Sequence, residues 1–320
     1  MKALTFIDQE LKVSELERPE RAGEALIRIL RSGICNTDLE IVRGYAGFSG
    51  TLGHEFVGVV EASVNAPELV GKRVVGEINV GCGDCERCRE LHDSRHCPTR
   101  TVLGIKGRDG CHADFVRLPQ RNLLMVPDNV ADDEAVFAEP LAAAFAIIEQ
   151  VEVSSETKIA VIGDGKLGIL SALCLRTVSN HVCMIGKHSS KLAIAERSDV
   201  ETILVEKLPD TMKSHFDVVV EASGSESGFS TALDIIRPRG KLVLKSTFHG
   251  STSVAAWRVV VDEISVIGSR CGKMASALEL LKNGVIDVRR LISDEFPLAE
   301  GPEAMSAAAR KGVLKVLLAP

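Results

Sequence analysis

The sequence predicts an α/β chain in two parts: a β-rich N-terminal unit and a unit built on a doubly wound parallel sheet. Three observations carry this. Up to about residue 130 the apolar runs are short and separated by Gly, Pro and Asn, the pattern of strands and turns. From Lys158 onward, strand-like and helix-like runs alternate, which signals βαβ units with helices on both faces of a parallel sheet. The glycines of VIGDGKLG (161–168) stand where the first of these strands meets the first helix.

Taken in order, the chain opens with the alternating MKALTFIDQELKV, which carries no apolar core of signal-peptide length. EALIRILRSGI, HEFVGVVEAS, KRVVGEI, ADFVRLP and NLLMVP follow as strand candidates. DDEAVFAEPLAAAFAIIEQ (132–150) reads as a helix leading into the strand KIAVIG. Then KLGILSALCLRTV (helix), HVCMIG (strand), KLAIAE (helix), TILV and FDVVVEAS (strands), FSTALDIIR (helix) and KLVLKS (strand) alternate. The last fifty residues, from ASALELLKNGV to VLKVLLAP, read as two helices and a closing strand. That tail is too small for a core of its own and is expected to pack back on one of the larger units.

Composition narrows the function classes. The 320 residues are 45% hydrophobic and 26% charged, with a net charge of −6. That is an ordinary globular balance. It lacks the basic face of a nucleic-acid binder. The longest apolar stretch, 135–148, is too short to span a bilayer and contains Glu139 and Pro140. With no export signal, the expected location is the cytoplasm and the nine cysteines are expected to be reduced. This turns GCGDCERCRELHDSRHC (81–97) from a disulfide framework into a metal-binding candidate.

Gly163, Gly165 and Gly168 form G-x-G-x-x-G between a buried-type strand and a helix, the context a dinucleotide site requires. Gly163 permits the tight turn, Gly165 lets amides approach a pyrophosphate, and Gly168 lets helix pack on strand. Lys166 and Leu167 open the helix whose N-terminus would face the phosphates. At the end of the next strand, where an NAD enzyme usually carries an acid for the ribose hydroxyls, stands Gly186. Lys187, His188 and Lys191 follow, with charge that complements a 2′-phosphate. NADP(H) is therefore expected over NAD(H); the plain alternative is a solvated turn with a serine capping the next helix.

In the first unit, Cys35, Thr37 and Asp38 follow a strand, His54 and Glu55 enter another, and Glu139 sits in apolar company. Cysteine, histidine and a carboxylate from separate segments suit a catalytic zinc with an open fourth position. Each has a simpler reading: a packed thiol, a satisfied core histidine, a helix-capping acid.

Taken together, GICNTD, GHEFVGVV, the four-cysteine lobe, AEPLAAA, VIGDGKLG and VVVEASG come in an order that resembles the zinc-dependent medium-chain alcohol dehydrogenase family, in its sorbitol/threonine dehydrogenase-like branch. The resemblance covers essentially the whole chain. It implies a GroES-like β domain (1–142, completed by 272–320, with a zinc lobe at 81–98) and a Rossmann domain (143–271). It implies two zincs per chain. Cys82, Cys85, Cys88 and Cys97 would hold the structural one. The spacing departs from the family: eight residues precede Cys97 where seven are common, and His96 takes the usual place. For the catalytic zinc it implies Cys35 and His54, with Glu139 or Glu55 as a further ligand. Asp38 would orient His54, and Thr37 would pass the alcohol proton outward. Where many members end that relay on a histidine, this chain has Glu40 or Ile41.

The implied activity is hydride transfer between an alcohol or its carbonyl and the nicotinamide, with zinc as Lewis acid. An NAD-linked polyol or amino-alcohol dehydrogenase, a zinc-free reductase and a non-catalytic zinc- and nucleotide-binding protein are the alternatives. Tyr45 and Phe48, with Phe248 and Trp257, are candidate pocket residues. Relatives are dimers or tetramers, and STSVAAWRVVVDEISVIG has the character of an edge strand suited to such pairing.

Overall fold

The structure, a computed structural model, describes residues 1–20, 23–90, 93–246 and 255–320. It divides into two compact units, Met1–Glu139 with Leu278–Pro320, and Pro140–Ala277.

The first unit is built on a seven-stranded sheet. Its centre is Ala25–Gly33, paired antiparallel with Glu55–Ala62 on one side and, at Leu317 and Leu318, with the C-terminal strand Lys315–Ala319 on the other. The returning tail thus supplies strands to the N-terminal sheet, and Ile292–Pro297 adds a further parallel strand beyond it. Alternate side chains of Ala25–Gly33 face inward, so Ala25, Ile27 and Ile29 join Phe56, Val74 and Leu118 in one apolar cluster. A second cluster, with Leu4, Ile34, Ile41, Leu52 and Val316, lies under the short helix Asn36–Val42.

The second unit holds a six-stranded, wholly parallel sheet. In chain order its strands lie 3-2-1-4-5-6, with Lys158–Ile162 as the first and Ser265–Gly268 at one edge. The order reverses beside the first strand, where open α/β sheets bind ligands at the carboxyl ends of their strands. Continuous apolar runs such as Ile159–Ile162 and Val182–Ile185 are buried because both faces of the sheet are covered. STSV of the proposed edge segment, and Phe248, lie outside the described residues. Ala256–Val261 of that segment is a helix rather than a strand, and only Ser265–Gly268 pairs. Among the described residues no helix is long and apolar enough to cross a membrane.

Gly168 fixes the strand–helix spacing of this unit. A Cβ there would stand 1.9 Å from the Gly163 carbonyl oxygen. Overpacking of this kind costs about 1–3 kcal/mol. Gly168→Ala is expected to lower stability by about that amount, read as a reduced denaturant midpoint at an unchanged m-value.

Candidate active site and metal centres

In the first unit, Gly33 ends its strand and the chain turns into Asn36–Val42 at Cys35, the helix N-cap. Asp38, at the third helical position, accepts the Cys35 amide at 2.8 Å, so a single carboxylate closes a capping box and holds the cysteine in place. It is therefore not itself the N-cap. Its other oxygen, Oδ1, accepts the Gly53 amide at 3.2 Å and lies 3.4 Å from His54 Nδ1. Asp38 is wholly buried and His54 nearly so. Burial alone would push the Asp38 carboxyl up, but His54 and His112 outweigh it and hold it well below the usual carboxylate range. Burial likewise disfavours charged His54, yet Asp38 and Cys35 raise its pKa well above the usual value.

The ligand atoms of Cys35, His54 and Glu55 all lie within 4.8 Å of one another. Glu139 stands in the first turn of the helix Ala138–Gln150, half-buried, and is not one of this group. Thr37 Oγ1 is 3.8 Å from Cys35 Sγ. Ile41 is buried in the core, and Glu40 pairs with Arg43. Tyr45 and Phe48 pack on the cluster around Leu4 and Ile41, and Trp257 is exposed.

One member of this site escaped the sequence reading. Lys315, in the apolar strand KVLLA, is fully buried with its ammonium on Glu55 Oε2. It also donates to the Ile34 carbonyl at 3.3 Å. Burial pushes the ammonium below its ordinary range, while the Cys35 and Asp38 charges favour its charged form. The signal was present as a lysine among five otherwise apolar strand residues. A cation that cannot reach water needs an acid beside it.

The second group is Cys82, Cys85, Cys88 and Cys97, whose sulfurs also lie within 4.8 Å of one another with none of the four in a disulfide. Cys85 and Cys97 Sγ are 3.8 Å apart. Four thiolates at the ordinary zinc–sulfur distance of about 2.3 Å in tetrahedral geometry would be separated by about 3.8 Å. Cys97 is buried, whereas His96 is exposed and faces Asp93. The Cys82 amide and Thr99 hold the Cys97 thiol down to about 6. The Gly83 amide favours a Cys88 thiolate, but burial and three adjacent thiols push it up to about 11. Four crowded thiols oppose one another's ionisation unless a cation sits between them, so this donor set fits a closed zinc site.

In the second unit a cavity of ≈ 470 Å³ opens at the switch point, lined by Gly163, Gly165, Gly186, Lys187, His188 and Lys191 among others. Gly163 takes the left-handed φ of 114° that the turn requires, and Gly165 caps the helix beginning at Lys166. A Cβ on Gly165 would meet no protein atom within 4 Å, which leaves its amide open to a phosphate. Leu167 lies in that helix's first turn, its carbonyl accepting the Ser171 hydroxyl. The structure corrects one premise. The strand end at Gly186 does not lack a carboxylate, because Asp164 from the glycine turn reaches it. Asp164 Oδ2 would stand 2.8 Å from a Cβ built on Gly186. The same oxygen accepts the Lys187 amide at 2.7 Å, the His188 amide at 2.6 Å and faces His188 Nδ1 at 3.0 Å. His188, not a serine, caps the following helix.

With this geometry, the comparisons place the chain. Residues 21–128 match the alcohol dehydrogenase GroES-like domain and residues 167–283 the zinc-binding dehydrogenase domain. The L-threonine 3-dehydrogenase of Chelativorans sp. BNC1 is 32% identical over 96% of this chain and 95% of its own. The sorbitol dehydrogenase of Halalkalibacterium halodurans is 28% identical over 95% and 94%. Among solved structures, a zinc-binding dehydrogenase from Sinorhizobium meliloti bound to NADP superposes with a TM-score of 0.89 at 25% identity, covering 100% and 99% of the chains. An alcohol dehydrogenase from E. coli CFT073 complexed with NADH does so with 0.91 at 26%, also covering 100% and 99%. The chain belongs to the zinc-dependent medium-chain alcohol dehydrogenase family. It is an oxidoreductase, a zinc-binding dehydrogenase of the polyol and threonine dehydrogenase type.

Two predictions follow from the site. With zinc in both groups, Cys85→Ser is expected to remove one zinc per chain and lower the Tm, whereas Cys35→Ser is expected to remove the other zinc and nearly all turnover. Elemental analysis with thermal melts separates the two. For Asp164, burial pushes the carboxyl up, but bonds from the His188 and Lys187 amides and the His188 ring hold it below the ordinary range. Its stabilisation is therefore fully present above the unfolded carboxylate pKa of about 3.9 and is lost as pH falls through the lower folded value. Asp164→Asn is expected to be less stable than the parent at neutral pH, with the gap closing in acid, as measured by denaturant melts across pH.

Proposed function

We propose that this chain is an NADP(H)-dependent alcohol dehydrogenase and carbonyl reductase holding two zincs, one at Cys35 and His54 and one in the cysteine lobe. The observation that carries the reading is the convergence of Cys35, His54 and Glu55 within 4.8 Å, in a chain that also carries a glycine-rich cavity. Glu55 or Glu139 would complete the protein ligands of the first zinc. When bound there, zinc supplies Lewis acidity to an alcohol or carbonyl oxygen, and NADP(H) supplies or accepts the hydride.

The chain's own residues do the rest. Asp38 turns the His54 ring so that Nδ1 faces the carboxylate and Nε2 is free for the metal. Lys315 neutralises one oxygen of Glu55 and sets its orientation. Thr37, beside Cys35, offers a hydroxyl that takes the alcohol proton outward. Lys187, His188 and Lys191 present their charge to a 2′-phosphate from the wall of the cavity. The substrate class is a small polyol or amino alcohol, or the matching ketone, following the names of the relatives. The exposed Val266 on the edge strand, with Trp257, Val260 and Val261 beside it in the chain, supports self-association into a dimer or tetramer.

A second reading, NAD(H), is favoured by the Asp164 carboxylate lying against Gly186, where it can accept ribose hydroxyls. Cofactor titration by fluorescence decides. NADPH is expected to bind at least tenfold more tightly than NADH, with Lys187→Ala narrowing the gap. Equal affinities, or an Asp164→Asn variant that loses NADH alone, would move the assignment to NAD(H). A metal analysis that found no zinc would overturn the zinc mechanism itself.

A further inference from the structure

The histidine in GCHADFV is buried without a role in the reading above. His112 is fully buried, and its ring lies so close to Gly53 that a Cβ there would stand 2.5 Å from two of its ring atoms. Its Nδ1 is 2.8 Å from Ser32 Oγ, itself buried. Its Nε2 points to Asp38 Oδ2 at 3.6 Å, and His54 Nδ1 approaches Asp38 Oδ1 at 3.4 Å. Those two ring nitrogens are buried and make no hydrogen bond, so the Asp38 oxygens are the charged groups they face, just beyond or at the limit of hydrogen-bond reach. Asp38 is thus held between two imidazoles, one per oxygen.

We propose that His112 is a positioning residue for the catalytic metal: through Asp38 it sets the orientation and ligand strength of His54. The tautomer follows from electrostatics. A ring lone pair facing a buried carboxylate is repelled, so Nε2 carries the hydrogen and turns it toward Asp38, an electrostatic contact at 3.6 Å. Nδ1 is then an acceptor, and the Ser32 hydroxyl donates to it. With Oδ2 held by His112 and the Cys35 amide, Oδ1 stays aimed at His54 Nδ1–H and the Gly53 amide. His54 Nε2 is left as the ligating lone pair, made more basic by the carboxylate behind it.

This inference rests on the Cys35–His54 metal site, and the test separates the two. Co²⁺ is titrated into metal-stripped protein, with visible absorption reporting its affinity and geometry at the Cys35–His54 site. Outer-shell partners of this kind change metal affinity by roughly ten- to a hundredfold. His112→Phe, which keeps the bulk, is expected to weaken Co²⁺ at least tenfold and shift its absorption bands. His112→Gln, whose amide can donate to Asp38 and accept from Ser32, is expected to return to within about threefold of the parent. If His112→Phe does not fold, Ser32→Ala carries the test, with a threefold or greater loss expected. Parental affinity and bands in His112→Phe (or, failing that, in Ser32→Ala) would overturn the role of His112 alone. So would a folded His112→Gln as weak as His112→Phe. A parent that binds no Co²⁺ at Cys35 would instead overturn the metal site.

Discussion

A carboxylate with no access to water is the constraint around which the first unit is arranged. An unpaired buried charge costs several kcal/mol, so Asp38 is tolerable only where donors surround it. Amides from two different turns donate to it, and two imidazoles face its oxygens at 3.4 and 3.6 Å. These contacts start the helix at Cys35, press the Gly53 turn against the sheet, and aim His54. Structure and chemistry here share the same contacts, so the site cannot loosen without exposing a charge.

The two candidate metal groups are built differently. The lobe draws all four sulfurs from one short segment and leaves no coordination position over. Its backbone amides donate to Cys82 and Cys97 sulfurs, which favours thiolates before any metal arrives. The other group mixes thiol, imidazole and carboxylate from separate segments, with one carboxylate oxygen already taken by Lys315. Such a set leaves room for an exchangeable ligand, which catalysis needs and a structural staple does not.

The legible parts of the sequence were those with a local spacing. The glycine motif, the cysteine lobe and the alternation of strand and helix are each contained in a few residues or a fixed period. What escaped depended on register across the fold. Lys315 reads as one polar residue in a closing strand until pairing with Ala25–Gly33 brings it over Glu55. His112 belongs to none of the motifs and stands just before the strand candidate ADFVRLP, until the sheet sets it beside Ser32. Asp164, a variable position of the motif, fills by reach the space at a strand end that Gly186 leaves open. Glu139, singled out by its apolar neighbours, stands in the first turn of the helix Ala138–Gln150.

The Glu55–Lys315 pair spans 260 residues of chain. At a synthesis rate of about 5–20 residues per second, the acid waits on the order of ten to fifty seconds for its cation. The whole second unit emerges in that interval, and its six parallel strands need nothing from the tail to pair. Until Lys315–Ala319 docks, the central strand of the first sheet has an open edge at Ser32 and Gly33, and Glu55 lacks the Lys315 ammonium. The nascent chain therefore carries a finished nucleotide-binding body beside an unfinished metal-binding one. A ribosome stalled shortly before residue 315 would present that half-built molecule, able to hold a cofactor and unable to close its sheet.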